Sequence, residues 1–284
     1  NYYPGTKWIR MKERENPWKK GEEEEEEEYK PEIYDPVDPS KIKVANGPDE
    51  GIEKVENGKV KYKFNEIDNG INRKSYLGEY KIVNNLPRNP IGKTGIKGRG
   101  QLWRWGPNHA ADPIVTRWKI DKTTNSKIID PISKKPILEF IAILRKDGGG
   151  WAIPGGMVES GDTVSNTLKK EFGEEALNSL DSNLTTEQKK SLESSLNYFF
   201  SHSQFSHLIF KGYVDDPRNT DNSWIETVAV NFHDDQGIYA SRFPLHAGDD
   251  AASVTWMTVS DHLQLYASHK LFLHQVALFH HAHW

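Results

Sequence analysis

The chain has 284 residues, a length that suits one large domain or two modest ones. Its apolar fraction of 36% and aromatic fraction of 11% can build a core, so wholesale disorder is excluded. The net charge of −4 argues against a nucleic-acid partner, and the absence of cysteine excludes disulfides, thiolate zinc sites and a cysteine nucleophile. No apolar run approaches the roughly 18 residues of a membrane span, so we expect no direct membrane insertion.

Residues 1–60 are rich in Pro, Lys and Glu and include the glutamate run Glu22–Glu28. A like-charge block of this kind usually stays solvated, so it predicts a flexible acidic insert rather than a binding tail. Aromatic residues around it, such as Trp18 and Tyr29, are expected to anchor irregular chain to a surface. Residues 61–105 contain many turn residues and predict short strands and loops. Because the chain starts at Asn1 rather than Met, we expect a fragment or a processed form.

From Pro113 onward the sequence predicts strands alternating with a few helices. Apolar runs and alternation predict strands at Ile114–Trp118, Ile137–Leu144, Trp151–Ile153, Leu208–Val214, Thr227–Phe232 and Val254–Val259. Start signals and helical spacing predict helices from Thr163 onward through Ala176, at Thr186–Phe200 and at Ser268–His280. This order is typical of a mixed α/β sandwich.

The first predicted helix carries an unusual group of acids. Glu171, Glu174 and Glu175 stand at i, i+3 and i+4, which places three carboxylates on one α-helical face. Clustered oxygen ligands suit Mg²⁺, with Mn²⁺ as an alternative, and such ions bind substrate phosphates. The preceding Gly155-Gly156 turn lets the backbone approach a ligand closely. For a bare cluster of acids, an ordinary solvated helix face is the commoner explanation.

The spacing around these acids favours a metal site over a solvated face. The order is Gly156, five residues, Asp162, seven residues, Lys170-Glu171, two residues, and Glu174-Glu175. This pattern resembles the Nudix signature. Three departures are present: Asp162 replaces a Glu, Lys170 replaces an Arg, and Leu177-Asn178 replace a Gly–apolar pair. Since Lys offers a point charge where Arg makes forked hydrogen bonds, we expect activity with reduced efficiency.

Three further segments, Trp105–Pro113, Gly212–Asn222 and Leu265–His269, are similar to one group within the family. This group comprises the mitochondrial ADP-ribose pyrophosphatase and the homology domain at the C-terminus of the ADP-ribose-gated melastatin-type TRP channel. Leu177-Asn178 also agrees with this group. The resemblance implies an α/β (α+β) fold, a Nudix α/β/α sandwich with an N-terminal cap domain. It places the cap, with its acidic flexible insert, at residues 1–112 and the Nudix catalytic domain at residues 113–284.

The same resemblance implies a set of site residues. The metal ligands would be Gly156, Glu171, Glu174 and Glu175; the catalytic residues would be Glu171, Glu174, Glu175 and Asp250; and the substrate contacts would be Asp112, Ile153, Asp216, Arg218, Tyr266 and His269. The general base stays open between Glu175 and the Asp249-Asp250 pair, whose acids could equally cap a turn. Arg218 would bind a diphosphate, and a salt bridge with Asp215 or Asp221 is the alternative.

The resemblance implies hydrolysis of ADP-ribose to AMP and ribose 5-phosphate, in the cytosolic C-terminal domain of a plasma-membrane channel. The partner would then be the rest of a tetrameric channel, and the chain's end near the channel's own end favours this origin. Alternatives are a weakly catalytic or non-catalytic ADP-ribose sensor module, a free-standing enzyme of the mitochondrial matrix, and a Nudix enzyme for another substrate. Intact Glu171, Glu174 and Glu175 favour catalysis.

Overall fold

The computed structural model describes residues 2–18, 29–42, 44, 46–159, 161–177, 185–247 and 251–284. The chain divides into two compact units. The first contains residues 1–109, 159–161 and 212–226, and the second contains residues 110–158, 162–211 and 227–284. Among the described helices, none has both the length and the apolar character required to cross a bilayer. The assignment of residues 1–112 to a cap and 113–284 to a catalytic domain stays a prediction.

The first unit is built from short strands and turns, as the many turn residues predict. Its regular elements are β1 (Glu32–Ile33), α1 (Ile52–Glu56), β2 (Ile67–Asp68), β3 (Ile71–Asn72), β4 (Ile82–Val83), β5 (Leu86–Pro87) and β6 (Ile96–Lys97). Strand β1 pairs in parallel with β6, and the hairpin pairs are β2 with β3 and β4 with β5. Asn69, Asn84 and Asn85 adopt positive φ at the hairpin turns, a conformation that Asn tolerates better than most residues.

Buried ion pairs hold this irregular unit together. The Arg73 guanidinium donates to both oxygens of Asp49 at 2.7 and 2.9 Å, and its Nε donates to Asp68 at 3.3 Å. Arg99 donates to Asp35 at 2.7 Å. The Arg73 and Asp49 side chains are only 1% and 2% exposed, so removing one partner would leave the other charge buried.

The aromatic anchors on both sides of the glutamate run are confirmed. The Trp18 and Tyr29 rings pack edge to face with centroids 5.8 Å apart. The Trp18 indole N–H donates to the Asn89 carbonyl at 2.9 Å, and the Tyr29 hydroxyl donates to Asp221 at 2.7 Å. Glu22–Glu28 itself lies outside the described residues, so the flexible insert stays a prediction.

A seven-stranded sheet supports the second half of the chain. Its strands, with the separate β8–β9 hairpin, are β7 (Gly106–Trp118), β8 (Ile120–Asp121), β9 (Ser126–Lys127), β10 (Leu138–Arg145), β11 (Trp151–Ala152), β12 (Gly156–Met157), β13 (Ser206–Tyr213), β14 (Ser223–Asp234) and β15 (Ala251–Thr258). The sheet order is β11-β10-β7-β14-β13, with β12 paired to β7 and β15 paired to β10. Strand β10 is antiparallel to β7, β11 and β15.

The second unit contains helices α2 (Val164–Glu171), α3 (Thr186–Ser201) and α4 (His269–Phe279). The Thr163 hydroxyl caps α2 by accepting from the Asn166 N–H at 3.2 Å. A single π turn, Phe172–Ala176, continues directly from the end of α2. Phe172 and Phe199 lie fully buried in one core cluster with Ile141 of the sheet. Burial of each such side chain contributes about 1.5–3 kcal/mol.

The predicted alternation of strands and helices is therefore confirmed from residue 113 onward. The strand predicted at Ile114–Trp118 begins earlier, at Gly106. Its first half was missed because it contains buried polar residues such as Asn108 and Asp112 instead of an apolar run. The helix predicted through Ala176 requires a correction, since its last turn is π rather than α.

Candidate active site

A diglycine turn lies at the centre of the candidate site. Gly155 follows strand β11, and Gly156 starts β12, where it pairs with Ala111 of β7. A side chain at either position would overlap a carboxylate: Asp112 at Gly155 and Glu171 at Gly156. Glycine at both positions therefore lets acidic groups lie directly against the backbone.

Two of the three signature glutamates contact this turn. The Gly155 N–H donates to Glu175 Oε2 at 2.9 Å. The Glu171 carboxylate lies against Gly156, so close that a Cβ there would fall within 3.0 Å of its carbon and both oxygens. Glu171 and Glu175 are half-buried. The structure thus brings Glu171 and Glu175 to the glycine turn, while their catalytic roles stay predictions.

The segment that carries the signature glutamates does not continue as an α-helix beyond Glu171. Among the described residues, no group of three or more His, Asp or Glu side chains is placed to hold a metal ion. The π turn gives a physical reason, because it has more residues per turn than an α-helix and rotates Glu174 further away from Glu171. Such turns occur frequently at functional sites.

A second polar group surrounds the same turn within this unit. The Ile153 N–H donates to His269 Nδ1 at 3.0 Å, and His269 Nε2 lies 3.8 Å from Asp112 Oδ1. The Thr227 hydroxyl donates to Asp112 Oδ2 at 2.6 Å. Sequence analysis placed Thr227 only in a strand, and nothing in its local sequence marks it as part of a site.

Tyr266 lies close to this group. Its N–H donates to the Trp151 carbonyl at 2.9 Å, and its ring lies 6.0 Å from that of His269, edge to face. The Arg145 guanidinium stacks over the Tyr266 ring at 4.5 Å. The structure thus brings the predicted residues Asp112, Ile153 and His269 together, with Tyr266 beside them.

Asp216 and Arg218 belong to the first unit. Arg218 donates to both oxygens of Asp216, at 2.8 and 2.9 Å, and the Tyr3 hydroxyl donates to the Arg218 carbonyl at 2.8 Å. The predicted alternative, a salt bridge from Arg218 to Asp215 or Asp221, is wrong because Arg218 pairs with Asp216 instead. Asp215 pairs with Arg14, and Asp221 accepts from Tyr29 and Thr94.

Burial has a measurable effect on Asp221. It raises the pKa of this carboxyl to about 6, although the hydrogen bonds from Thr94 and Tyr29 oppose the shift. This carboxylate is therefore a buried, hydrogen-bonded group of the first unit.

The sequence also predicts a candidate general base in the Asp249-Asp250 pair. The candidate base Asp250 and its neighbour Asp249 lie outside the described residues, so their roles stay predictions.

Two protein families match the chain. The NUDT9-like, N-terminal domain matches residues 15–106, and the NUDIX domain matches residues 139–276. The chain is 52% identical over 251 residues to "ADP-ribose pyrophosphatase, mitochondrial" of Rattus norvegicus, covering 88% of this chain and 70% of the rat protein. It is 46% identical over 212 residues to "Putative nudix hydrolase 6" of Caenorhabditis elegans, covering 74% of this chain and 71% of the worm protein.

A channel protein is also similar. The chain is 52% identical over 216 residues to "Transient receptor potential cation channel subfamily M member-like 2" of Nematostella vectensis. The match covers 75% of this chain but 13% of the channel protein, so the activity and partners of the whole channel are not established for this chain.

The chain belongs to the Nudix hydrolase family, and it is a Nudix hydrolase with a NUDT9-like N-terminal domain. The predicted Nudix fold with an additional N-terminal domain is confirmed. Within the family, the chain is a homologue of the mitochondrial ADP-ribose pyrophosphatase and of the Nudix region in a melastatin-type channel protein, as the resemblance predicted.

Proposed function

We propose that this chain hydrolyses the pyrophosphate bond of ADP-ribose to give AMP and ribose 5-phosphate. The observation that carries the proposal is the contact of two carboxylates, Glu171 and Glu175, with the diglycine turn of a Nudix signature. The substrate is supported by the 52% identity to the rat protein named ADP-ribose pyrophosphatase.

The donor chemistry of the turn fits a divalent cation that prefers oxygen ligands, Mg²⁺ or alternatively Mn²⁺. Mg²⁺ is usually held by one or two carboxylates together with water and substrate phosphates, so a closed group of three acids is not required. Glu171, Glu174, Glu175 and the Gly156 carbonyl oxygen would hold it. When bound, the cation neutralises charge on the phosphate oxygens and acidifies a water molecule.

The chain's own residues would position the substrate and move one proton. The water oxygen bonds to one phosphorus, the bridging oxygen leaves with the other phosphate, and a carboxylate accepts the water proton. Glu175 is one candidate base, because the Gly155 N–H fixes the orientation of its carboxylate. Asp250 is the other.

Further residues are proposed to contact the substrate. Arg218 offers paired N–H donors that suit a diphosphate, and Asp216 could accept hydrogen bonds from ribose hydroxyls. Asp112, Ile153, Tyr266 and His269 are the remaining contacts implied by the family. Because Asp216 already accepts two hydrogen bonds from Arg218, we expect substrate to bind an arginine whose plane is fixed in advance.

The decisive experiment is incubation of the purified chain with ADP-ribose and Mg²⁺, followed by chromatography of the nucleotide products. AMP is expected from the wild-type chain. The double change Glu174→Gln and Glu175→Gln should lower the rate at least about a hundredfold, because metal-assisted charge stabilisation contributes several kcal/mol. The matched control changes two exposed glutamates of α3, Glu187→Gln and Glu193→Gln, and should keep the rate. Equal rates in both double variants would contradict the proposed site.

A second candidate function is an ADP-ribose sensor in a channel, which the 52% identity to the Nematostella channel favours. In that case the chain would lie on the cytosolic side of the plasma membrane, with the rest of a tetrameric channel as its partner. The mitochondrial matrix is the alternative location for a free-standing enzyme. Calorimetry with ADP-ribose separates these functions: binding without AMP production supports a sensor, whereas binding with AMP production supports a hydrolase.

A further inference from the structure

Three buried side chains from different elements lie beside the diglycine turn. Asp112 comes from β7, Thr227 from β14 and His269 from the start of α4. Each is less than one tenth exposed. The three belong to the same unit as the turn and the signature glutamates. They therefore form a buried group, which we call the turn clamp.

The hydrogen bond to His269 determines which ring nitrogen carries a proton. Nδ1 accepts the Ile153 N–H at 3.0 Å, so Nδ1 has no proton of its own. The neutral ring must then carry its proton on Nε2, which lies 3.8 Å from Asp112 Oδ1. A carboxylate on that side favours an N–H directed towards it. Asp112 thus stabilises the tautomer in which His269 can accept from the backbone.

Thr227 fixes Asp112 in turn. Its hydroxyl donates to Oδ2 at 2.6 Å, while Oδ1 lies on the side of Gly155 and His269. Thr227 is 2% exposed, so this hydrogen bond is shielded from water. A hydrogen bond to a charged, buried oxygen is stronger than one between neutral groups.

We propose that Asp112, Thr227 and His269 are positioning residues that hold the backbone of Ile153–Gly156, rather than groups that bind the substrate. This inference rests on the proposed hydrolase function. The clamp fixes the Ile153 N–H through His269, while the Gly155 N–H of the same turn donates to Glu175. The clamp therefore acts on the reaction through the turn. Asp112 and His269 then position the backbone, whereas the family resemblance implied that they contact the substrate.

The test compares Thr227→Val, which removes the hydroxyl and keeps the shape, with Thr227→Ser, which keeps the hydroxyl. With ADP-ribose and Mg²⁺, Thr227→Val should lower kcat about tenfold and leave KM within about twofold, since one charge-assisted hydrogen bond contributes about 1.4 kcal/mol or more. Thr227→Ser should retain nearly the wild-type kcat. A raised KM with unchanged kcat, or equal losses in both variants, would overturn the proposal.

An independent readout does not need catalysis. Nuclear magnetic resonance of the wild-type chain should show the His269 proton on Nε2 and slow exchange of the Ile153 and Gly155 amide protons. Thr227→Val should accelerate exchange of both amides about tenfold, and Thr227→Ser should not. Unchanged exchange in Thr227→Val would refute the clamp. Absence of AMP from the wild-type chain would instead refute the proposed function, leaving the exchange result to decide the clamp.

Discussion

Replacing Gly156 by Ala should impair catalysis without unfolding the protein. An alanine Cβ would fall within 3.0 Å of the Glu171 carboxyl carbon and both of its oxygens. Ordinary contact needs a separation of roughly 3.5 Å, so this carboxylate must retreat by about 1 Å. Gly156 does not adopt positive φ, so alanine introduces no backbone strain there. The side chain of a proposed metal ligand would move while the turn remains.

The expected magnitude follows from that displacement. A 1 Å misplacement of a catalytic group can cost about a hundredfold in rate, and we expect that loss in kcat for ADP-ribose hydrolysis. The free energy of unfolding, measured with urea, should change by less than about 1 kcal/mol, because alanine also reduces the entropy of the unfolded chain. The matched control is Gly51→Ala, where φ is −66° and the nearest atom would lie 3.4 Å from the new Cβ.

A wild-type rate in Gly156→Ala would refute the reasoning, because it would show that the position of the Glu171 carboxylate does not matter. A large loss of stability would also contradict it. The double variant Gly156→Ala with Glu171→Asp sharpens the test, since the shorter side chain already withdraws the carboxylate. Its kcat should then be close to that of Glu171→Asp alone, as expected for two changes that act on one contact.

Three other predictions concern stability. Burial lowers the pKa of His233 to about 4, so the unfolded chain takes up this proton first as the pH falls. His233 should therefore contribute a loss of about 3 kcal/mol in the free energy of unfolding between pH 7 and pH 4. In urea unfolding, His233→Gln should make the pH dependence shallower, and an unchanged slope would contradict the assignment. Asp49→Asn should destabilise the chain by about 3 kcal/mol or more, because buried Arg73 would lose its closer carboxylate and keep only the 3.3 Å pair with Asp68. A loss under 1 kcal/mol in the same assay would count against that. Replacing Glu22–Glu28 by an equally long Gly/Ser segment should change the free energy of unfolding by less than about 0.5 kcal/mol, since Trp18 and Tyr29 hold the flanking chain. A larger loss at ordinary salt would show that the glutamates make stabilising contacts.

Most of the regular elements could be predicted because their signals are local. The helix predicted at Thr186–Phe200 is observed at Thr186–Ser201, where Thr185 and Gln188 form a capping box. The buried strand predicted at Ile137–Leu144 is observed at Leu138–Arg145. Caps and apolar periodicity depend on neighbours along the chain, so one sequence is sufficient to place them.

The site was predicted less completely because its contacts join distant residues. The spacing of the signature identified Gly156 and the glutamates, but it assumed the α-helical geometry that the π turn replaces. Thr227 escaped notice because a buried threonine in a strand is common, and only folding brings it to Asp112. Polar residues within β7 also concealed its first half, since their partners come from other parts of the chain.

The segment Gly212–Glu226 has a consequence for how such proteins can be divided or fused. It begins at the end of β13, and its buried hydrogen bonds join it to the N-terminal part of the chain. Asn219 donates to Glu13, Thr220 donates to the Gly98 carbonyl, and Asp221 accepts from the Thr94 N–H. A fragment cut after residue 112 would keep this segment and lose those partners, leaving it with polar groups that water would have to satisfy. A gene fusion that transfers this hydrolase region therefore has to include the N-terminal residues in the same chain.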